Sequence, residues 1–250
     1  MSATEKDASK GVPSLGAALL ERRMQLVDLT AEIYQGMPMF GLHQAPFIMV
    51  NHTHEEAITR LGVNLRFSAR NLLISEHTGT HTDAIFEYDE DGPTLTESPL
   101  EYYYGDAICI DVSDTRYPDR LEPDVLERAL ERSGQEIRQG DIVLLYTGTH
   151  ERLWPSQTYL TDYAGLSEAG ARWLAERGVV NIGTDAVSID AADDEYFLAH
   201  VVCKEFQIVN TESLTNLSKV ANQRFTFLGL PLNIRGGTGS PIRAVALLGV

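Results

Sequence analysis

The sequence is poor in the residues that would commit it to several common function classes. Cysteine is nearly absent: Cys109 and Cys203 are the two in 250 residues, far apart and outside any CxxC pair. A disulfide framework is therefore not expected, and two separate, reduced, buried thiols point to a cytoplasmic protein. Positive charge is scarce as well, with 20 Lys and Arg against 36 Asp and Glu and a formal charge of -16. No basic cluster offsets that balance, which repels phosphate backbones and anionic bilayers and sets nucleic-acid and membrane partners aside. No run approaches the ~18 apolar residues of a membrane helix, and the N-terminal stretch lacks the apolar core of a secretory leader. A GxSxG elbow, a P-loop lysine and an internal repeat are also missing.

What is present is an ordinary globular composition, 43% hydrophobic and 22% charged, long enough for one sizeable core. The first ~12 residues read as a loose polar arm ending in Gly11-Val12-Pro13, and residues 14–25 as a short helix. We expect this arm and helix over 1–26 and a single domain over 27–250. Apolar, β-rich runs at 47–50, 71–74, 107–110, 142–146 and 179–182 predict strands. Helical spacing over 123–132 and 167–178 predicts helices, the second opened by Ser167 and stopped by Gly178. Strand and helix alternating in mid-chain predict an α/β domain, with added β structure in the first third and over 225–248.

The chemistry concentrates in His77-Thr78-Gly79-Thr80-His81-Thr82-Asp83. Of seven histidines in the chain, two fall here four apart, with an aspartate two residues on. Imidazole nitrogen and carboxylate oxygen suit zinc or manganese, and three protein ligands leave a position for water. A fully extended strand would hold His77 and His81 ~13 Å apart, too far for one ion, so the chain must bend between them. Gly79 is free to take that bend, and Thr80 and Thr82 offer hydroxyls behind the ligands. From the residues alone a second reading stands beside the metal loop, a polar strand end whose histidines are simply hydrogen-bonded. His52-Thr53-His54-Glu55 reads as a polar hairpin edge, Thr147-Gly148-Thr149-His150 as a turn or pocket wall, and Gly236-Gly237-Thr238-Gly239 carries no nucleotide signal because no helix follows it.

The run Ser75-Glu76-His77-Thr78-Gly79-Thr80-His81-Thr82-Asp83-Ala84 resembles the HxGTHxD signature of the cyclase-like metal-dependent hydrolases, the family of bacterial kynurenine formamidase and isatin hydrolase. Asp28-Leu29-Thr30, Gly36-Met37-Pro38, the stretch from Gly183 to Asp190, His200, Glu212-Ser213-Leu214 and the stretch from Pro231 to Ala244 continue the likeness from residue ~26 to the C-terminus. The resemblance implies a swivelling β/β/α fold, His77, His81 and Asp83 as metal ligands, and His200 and Glu212 completing a second position in dinuclear members. One or two divalent ions, zinc or manganese, are thus expected, in a homo-oligomer, dimer or tetramer. By its residues alone His200, within Tyr196–Val202, reads as a packed core histidine.

The chain departs from the family at one place. Its formamidases continue HxGTHxDxPxH, but Ile85 and Glu87 occupy the last two positions here. Glu87 then takes over as acid/base or as an added oxygen ligand, or else it is the solvated start of the acidic run Glu87–Asp91. The resemblance implies hydrolysis of an amide C–N bond in a small molecule, an aryl formamide or a cyclic amide such as isatin or a lactam. Metal-activated water would attack, with Glu87 or His200 moving the proton. A lactone hydrolase, a cyclising or dehydrating enzyme and a non-catalytic metal-binding paralogue are the alternatives. Phe40, Tyr102, Tyr103, Tyr104 and Trp154 are candidates for an apolar pocket wall, and core packing explains them equally well.

Overall fold

A computed structural model of the chain describes residues 14–61 and 66–249, with backbone alone over 58–61. The loose arm expected over the first ~12 residues lies outside these. The elements in chain order are α1 (Leu15–Leu20), β1 (Gln25–Asp28), β2 (Phe47–His52), α2 (His54–Leu61), β3 (Ala69–Leu73), β4 (His81–Asp83), β5 (Tyr104–Asp111), α3 (Pro123–Ser133), β6 (Ile142–Tyr146), α4 (Thr149–Leu153), α5 (Glu168–Ala175), β7 (Asn181–Thr184), α6 (Leu198–Phe206), β8 (Val209–Glu212), β9 (Arg224–Leu228), β10 (Gly239–Pro241) and β11 (Val245–Leu248).

The three apolar mid-chain runs become the parallel neighbours β5, β6 and β7, a fourth parallel strand, β8, is added where no apolar run was expected, and α3, α5 and α6 lie in the crossovers between them. Parallel strands buried on both faces read as continuous apolar runs, which is why the first three were legible. Their two faces serve two cores. Ile108, Ile110, Val143, Leu145 and Ile182 pack with Leu126, Ala171, Leu174, Val202 and Cys203 of the helices. Ala107, Cys109, Ile142 and Leu144 face the other way, onto Val27, Phe225, Phe227 and Ala246. The sheet curls far enough for β1, β11 and β9 to share that second core. Both cysteines are buried and unpaired, one in each core.

The expected helix over 14–25 stops at Leu20 because Gln25–Asp28 pairs with β11 instead. The run at 179–182 enters the ladder two residues late, at Asn181, since Val179 is spent on the helix-side core. Ser167 caps α5, its Oγ accepting the Gly170 N–H at 3.0 Å, and Gly178 takes φ +76° just beyond the helix end. The segment 52–55 closes one arm of the antiparallel ribbon β2–β3 and opens α2.

Beyond β8 the direction reverses: β4 pairs antiparallel with β8, and β10 with β4. In this register His81 lies opposite Glu212, and Asp83 opposite Gly239. Residues 131 and 156 apart in sequence thus become neighbours on one short strand.

Candidate metal centre and its cavity

The His77–Asp83 segment bends where expected, with Gly79 at φ +65°. Its threonines act differently from the expectation. Thr80 Oγ1 donates to Ser213 O at 2.6 Å and accepts the Ala31 N–H at 2.8 Å, while Thr82 Oγ1 donates to Asn210 O at 2.7 Å. They rivet the loop to neighbouring backbone rather than backing the imidazoles, because those buried carbonyls and amides need partners of their own.

The imidazoles are oriented by other groups. His81 Nδ1 donates to Gly79 O at 2.8 Å, so the lone pair of the neutral ring is on Nε2. Thr238 Oγ1 donates to Glu76 Oε2 at 2.7 Å and is left to accept from His77 Nε2 at 3.0 Å, so Nδ1 is the nitrogen that gains a lone pair when the proton it shares with Asp83 leaves. Those two nitrogens meet at Asp83, whose Oδ1 is 2.6 Å from His77 Nδ1 and 3.4 Å from His81 Nε2. Gly239 makes the meeting possible: a Cβ there would lie 2.5 Å from His77 Cε1 and 3.1 Å from Asp83 Oδ1.

His200 and Glu212 stand on the other side. Glu212 Oε2 is 3.7 Å from His81 Nε2, and its Oε1 is 3.7 Å from His200 Nε2 and accepts the Ile189 N–H at 3.1 Å. His200 is not a bystander of the core. Its Nδ1 is held by Asp190 Oδ2 in a short hydrogen bond, and Asp190 Oδ1 accepts the Ala199 N–H at 2.6 Å at the start of α6. Glu87 Oε1 lies 3.5 Å from His77 Nδ1 with 28% of its side chain exposed, so it borders the cluster at its open side, while Glu90 and Asp91 of the same run are exposed too.

Charge is crowded here. Burial and the nearby Asp83 carboxylate push Glu87 up to about 9 and Glu212 up to about 8. Burial works against a charged His77, but the Asp83 hydrogen bond and charge prevail and hold its proton to about 9. At His200 burial is likewise outweighed, by Asp190, giving about 10. Asp83 falls to about 2 against its burial, under the pull of His81 and His77. For the fully buried His81, burial wins and favours the neutral ring.

The donor set fits a divalent ion. His77, His81 and Asp83 each offer one ligand atom, all within 4.8 Å of one another, and so do Asp83, Glu87 and His200. Ligand atoms ~2.1 Å from one tetrahedral ion are roughly 3.4 Å apart, which the His81–Asp83 pair already matches. The shorter His77–Asp83 contact is the spacing of a shared proton, the particle a cation would displace.

The cluster floors a cavity of about 290 Å³. Met37, Met39, Phe40, Leu42, Trp154, Val187 and Phe197 form its apolar walls, and among the described residues no Lys or Arg lines it. Phe40 and Trp154 are where the sequence suggested, but Tyr102, Tyr103 and Tyr104 are not in the wall. Tyr103 is wholly buried beside Ala84 and Ile85 under the loop, supporting it from behind. Thr147-Gly148-Thr149-His150 turns into α4, where Thr147 donates to Asp185 Oδ1 and His150 stacks on Trp154.

Sequence reading passed over Glu76, Thr238, Gly239, Asp190 and His43. The Gly236–Gly239 run belongs to the stretch that carries the family likeness and holds no nucleotide signal, and its acceptance of an imidazole ring was the missed signal. His43 carried none, being a lone histidine 34 residues before His77, yet its ring stacks on His77 at 4.6 Å.

Three comparisons bear on this arrangement. A family model described as "Putative cyclase" matches residues 27–191. Kynurenine formamidase of Bacillus cereus is 31% identical over 175 residues, covering 70% of this chain and 77% of that protein. Isatin hydrolase A from Labrenzia aggregata, solved with benzyl benzoate, superposes with a TM-score of 0.84 at 23% identity, over 94% of this chain and 98% of that one. A "predicted metal-dependent hydrolase" from Bacillus stearothermophilus does so with 0.70 at 24% identity, over 90% and 98%. The two superpositions speak for the fold, and the curled mixed sheet with helices in its parallel crossovers is the one expected from the resemblance.

Proposed function

This chain belongs to the cyclase family, and from that premise we propose that it is a metal-dependent hydrolase opening the C–N bond of an uncharged aryl formamide or cyclic amide. The observation that carries the reading is the convergence of His77 Nδ1, His81 Nε2 and Asp83 Oδ1 beneath an apolar cavity with no Lys or Arg among the described residues that line it.

His77, His81 and Asp83 are the residues that would hold the ion, with Glu212 and His200 for a second. A bound zinc or manganese would supply an acidified water and a polarised carbonyl. The rest falls to the chain. Thr238 and Gly79 hold His77 Nδ1 and His81 Nε2 turned inward, toward Asp83. Glu87 stands at the rim of the cluster with its proton retained at neutral pH, suited to deliver it to a leaving nitrogen. His200, braced by Asp190 and facing Glu212, is the second group able to move a proton.

The cavity walls argue for an uncharged substrate. An aryl ring would be desolvated against Phe40, Phe197 and Trp154. Away from the ion, a substrate carboxylate would meet no Arg or Lys among the described lining residues, and an unpaired buried charge is strongly disfavoured. The test is turnover of formanilides, isatin-like rings, lactams and lactones by protein stripped with a chelator and then reloaded with zinc or manganese. Metal-restored ring opening or deformylation supports the reading. Preference for lactones moves the reaction to C–O bonds, and no turnover of any member refutes hydrolysis.

A further inference from the structure

Four imidazoles line the cavity, and three are engaged with one another's carboxylates: His77 and His81 converge on Asp83, and His200 lies between Asp190 and Glu212. His43 is the fourth. It sits in the wall segment that leads from Met37 into the β2–β3 ribbon, half-buried, with its ring stacked on His77 at an interplanar angle of 24° and tilted against Phe40 at 6.0 Å. One of its nitrogens, one of His77 and an oxygen of Glu87 all lie within 4.8 Å of one another.

The hydrogen bonding around His43 decides which nitrogen carries its proton. Nδ1 is 3.4 Å from Ser75 Oγ. That oxygen accepts the His77 backbone N–H at 3.2 Å with one lone pair and keeps its hydroxyl hydrogen to donate. With that hydrogen given to His43, Nδ1 is the acceptor and the hydrogen of the neutral ring is on Nε2. Among the described residues no protein group accepts from that Nε2. A neutral N–H donor thus borders a cavity floored by carboxylates and inward-facing lone pairs, where an oxygen gaining negative charge has few partners.

We propose that His43 is a catalytic hydrogen-bond donor whose Nε2–H binds the carbonyl oxygen of the scissile bond as that oxygen becomes negative. The proposal rests on the hydrolase reading above. It also gives a reason for the departure at Glu87: an imidazole reaches the neighbourhood of that side chain from a different part of the chain. A fixed donor at a developing oxyanion acts on the transition state more than on the ground state, so its loss falls on kcat rather than KM.

The experiment compares His43→Gln, His43→Asn and His43→Ala in metal-loaded protein. A glutamine amide nitrogen reaches the place of Nε2, whereas that of asparagine reaches only the place of Nδ1. Against the best substrate of the panel, His43→Gln should stay within about tenfold of wild-type kcat. His43→Asn and His43→Ala should lose roughly 10²–10³-fold with KM little changed, and metal content and Tm should be unchanged in all three. Calorimetric binding of an aryl trifluoromethyl ketone, which presents a charged oxygen when it adds water, should weaken in the same order. Equal loss in Gln, Asn and Ala would overturn the donor role in favour of stacking or proton transfer, and so would three silent substitutions or loss of metal. If wild type turns over nothing, the hydrolase reading fails, and the ketone titration still decides His43.

Discussion

Metal uptake by stripped protein should release protons in a number that reports how many ions bind. The metal-free cluster holds its protons tightly: His77 to about 9 and Glu212 to about 8, while Asp83, at about 2, is already ionised and burial favours a neutral His81. His77 therefore keeps its proton at pH 7, and one ion on His77, His81 and Asp83 displaces about one proton. A second ion on Glu212 and His200 would displace about two more, since His200 retains its proton to about 10. Titration calorimetry at pH 7 in two buffers of different ionisation enthalpy measures this number directly. The sign with pH follows. Apparent affinity for a single ion should rise about tenfold per pH unit between roughly 7 and 9, then flatten as His77 loses its proton unaided. Metal-free protein should move the other way. His77 has a folded pKa raised above its unfolded value of 6.5, so its contribution is full below 6.5 and fades as pH rises through about 9, on the order of 2–3 kcal/mol in total. Proton release near zero at pH 7, or an affinity flat from pH 7 to 9, would refute the His77–Asp83 assignment.

Other substitutions test neighbouring parts of the site. His81→Ala should remove most bound metal and all measurable hydrolysis while the fold persists, and wild-type metal content by plasma emission would end its assignment as a ligand. Gly239→Ala places a methyl 2.5 Å from His77 Cε1, so it should cost about 1–3 kcal/mol of stability and lower metal affinity roughly 10–100-fold in chelator competition. Unchanged affinity there would mean that the ring moves freely. Glu87→Gln keeps the shape but not the proton, and kcat should fall roughly 10²–10⁴-fold with metal content intact; a silent variant transfers the proton to His200.

The legible parts of the fold and site are those where one short segment carries its own physics. The strands at 107–110 and 142–146 are apolar on both faces because both are buried, and no partner needs to be known to read them. Within the HxGTHxD run the ligand types, the bend at Gly79 and the carboxylate two residues on are local facts. Glu212 and His200 were reachable only through the family likeness, since nothing in the four residues of β8 marks one acid as special. The tyrosines at 102–104 were open between pocket and core for the same reason: an aromatic serves one or the other according to what is packed against it, and here Tyr103 buttresses the loop.

The sequence by itself thus determined the α/β alternation and gathered two imidazoles and a carboxylate, side chains of the metal-ligating type, within residues 77–83, while the break at Glu87 shows only against the family pattern. Tertiary structure decided how those ligands are aimed. The antiparallel addition of β4 to β8 and of β10 to β4 sets His81 opposite Glu212 and Asp83 opposite Gly239, and it brings Thr238 and Glu76 to the back of His77. Tautomer, ring orientation and proton affinity depend on distances of 3–4 Å between groups up to 162 positions apart. Such contacts arise only when the sheet closes, because hydrogen bonds and buried charges act over ångströms in space and leave no period or spacing along the chain.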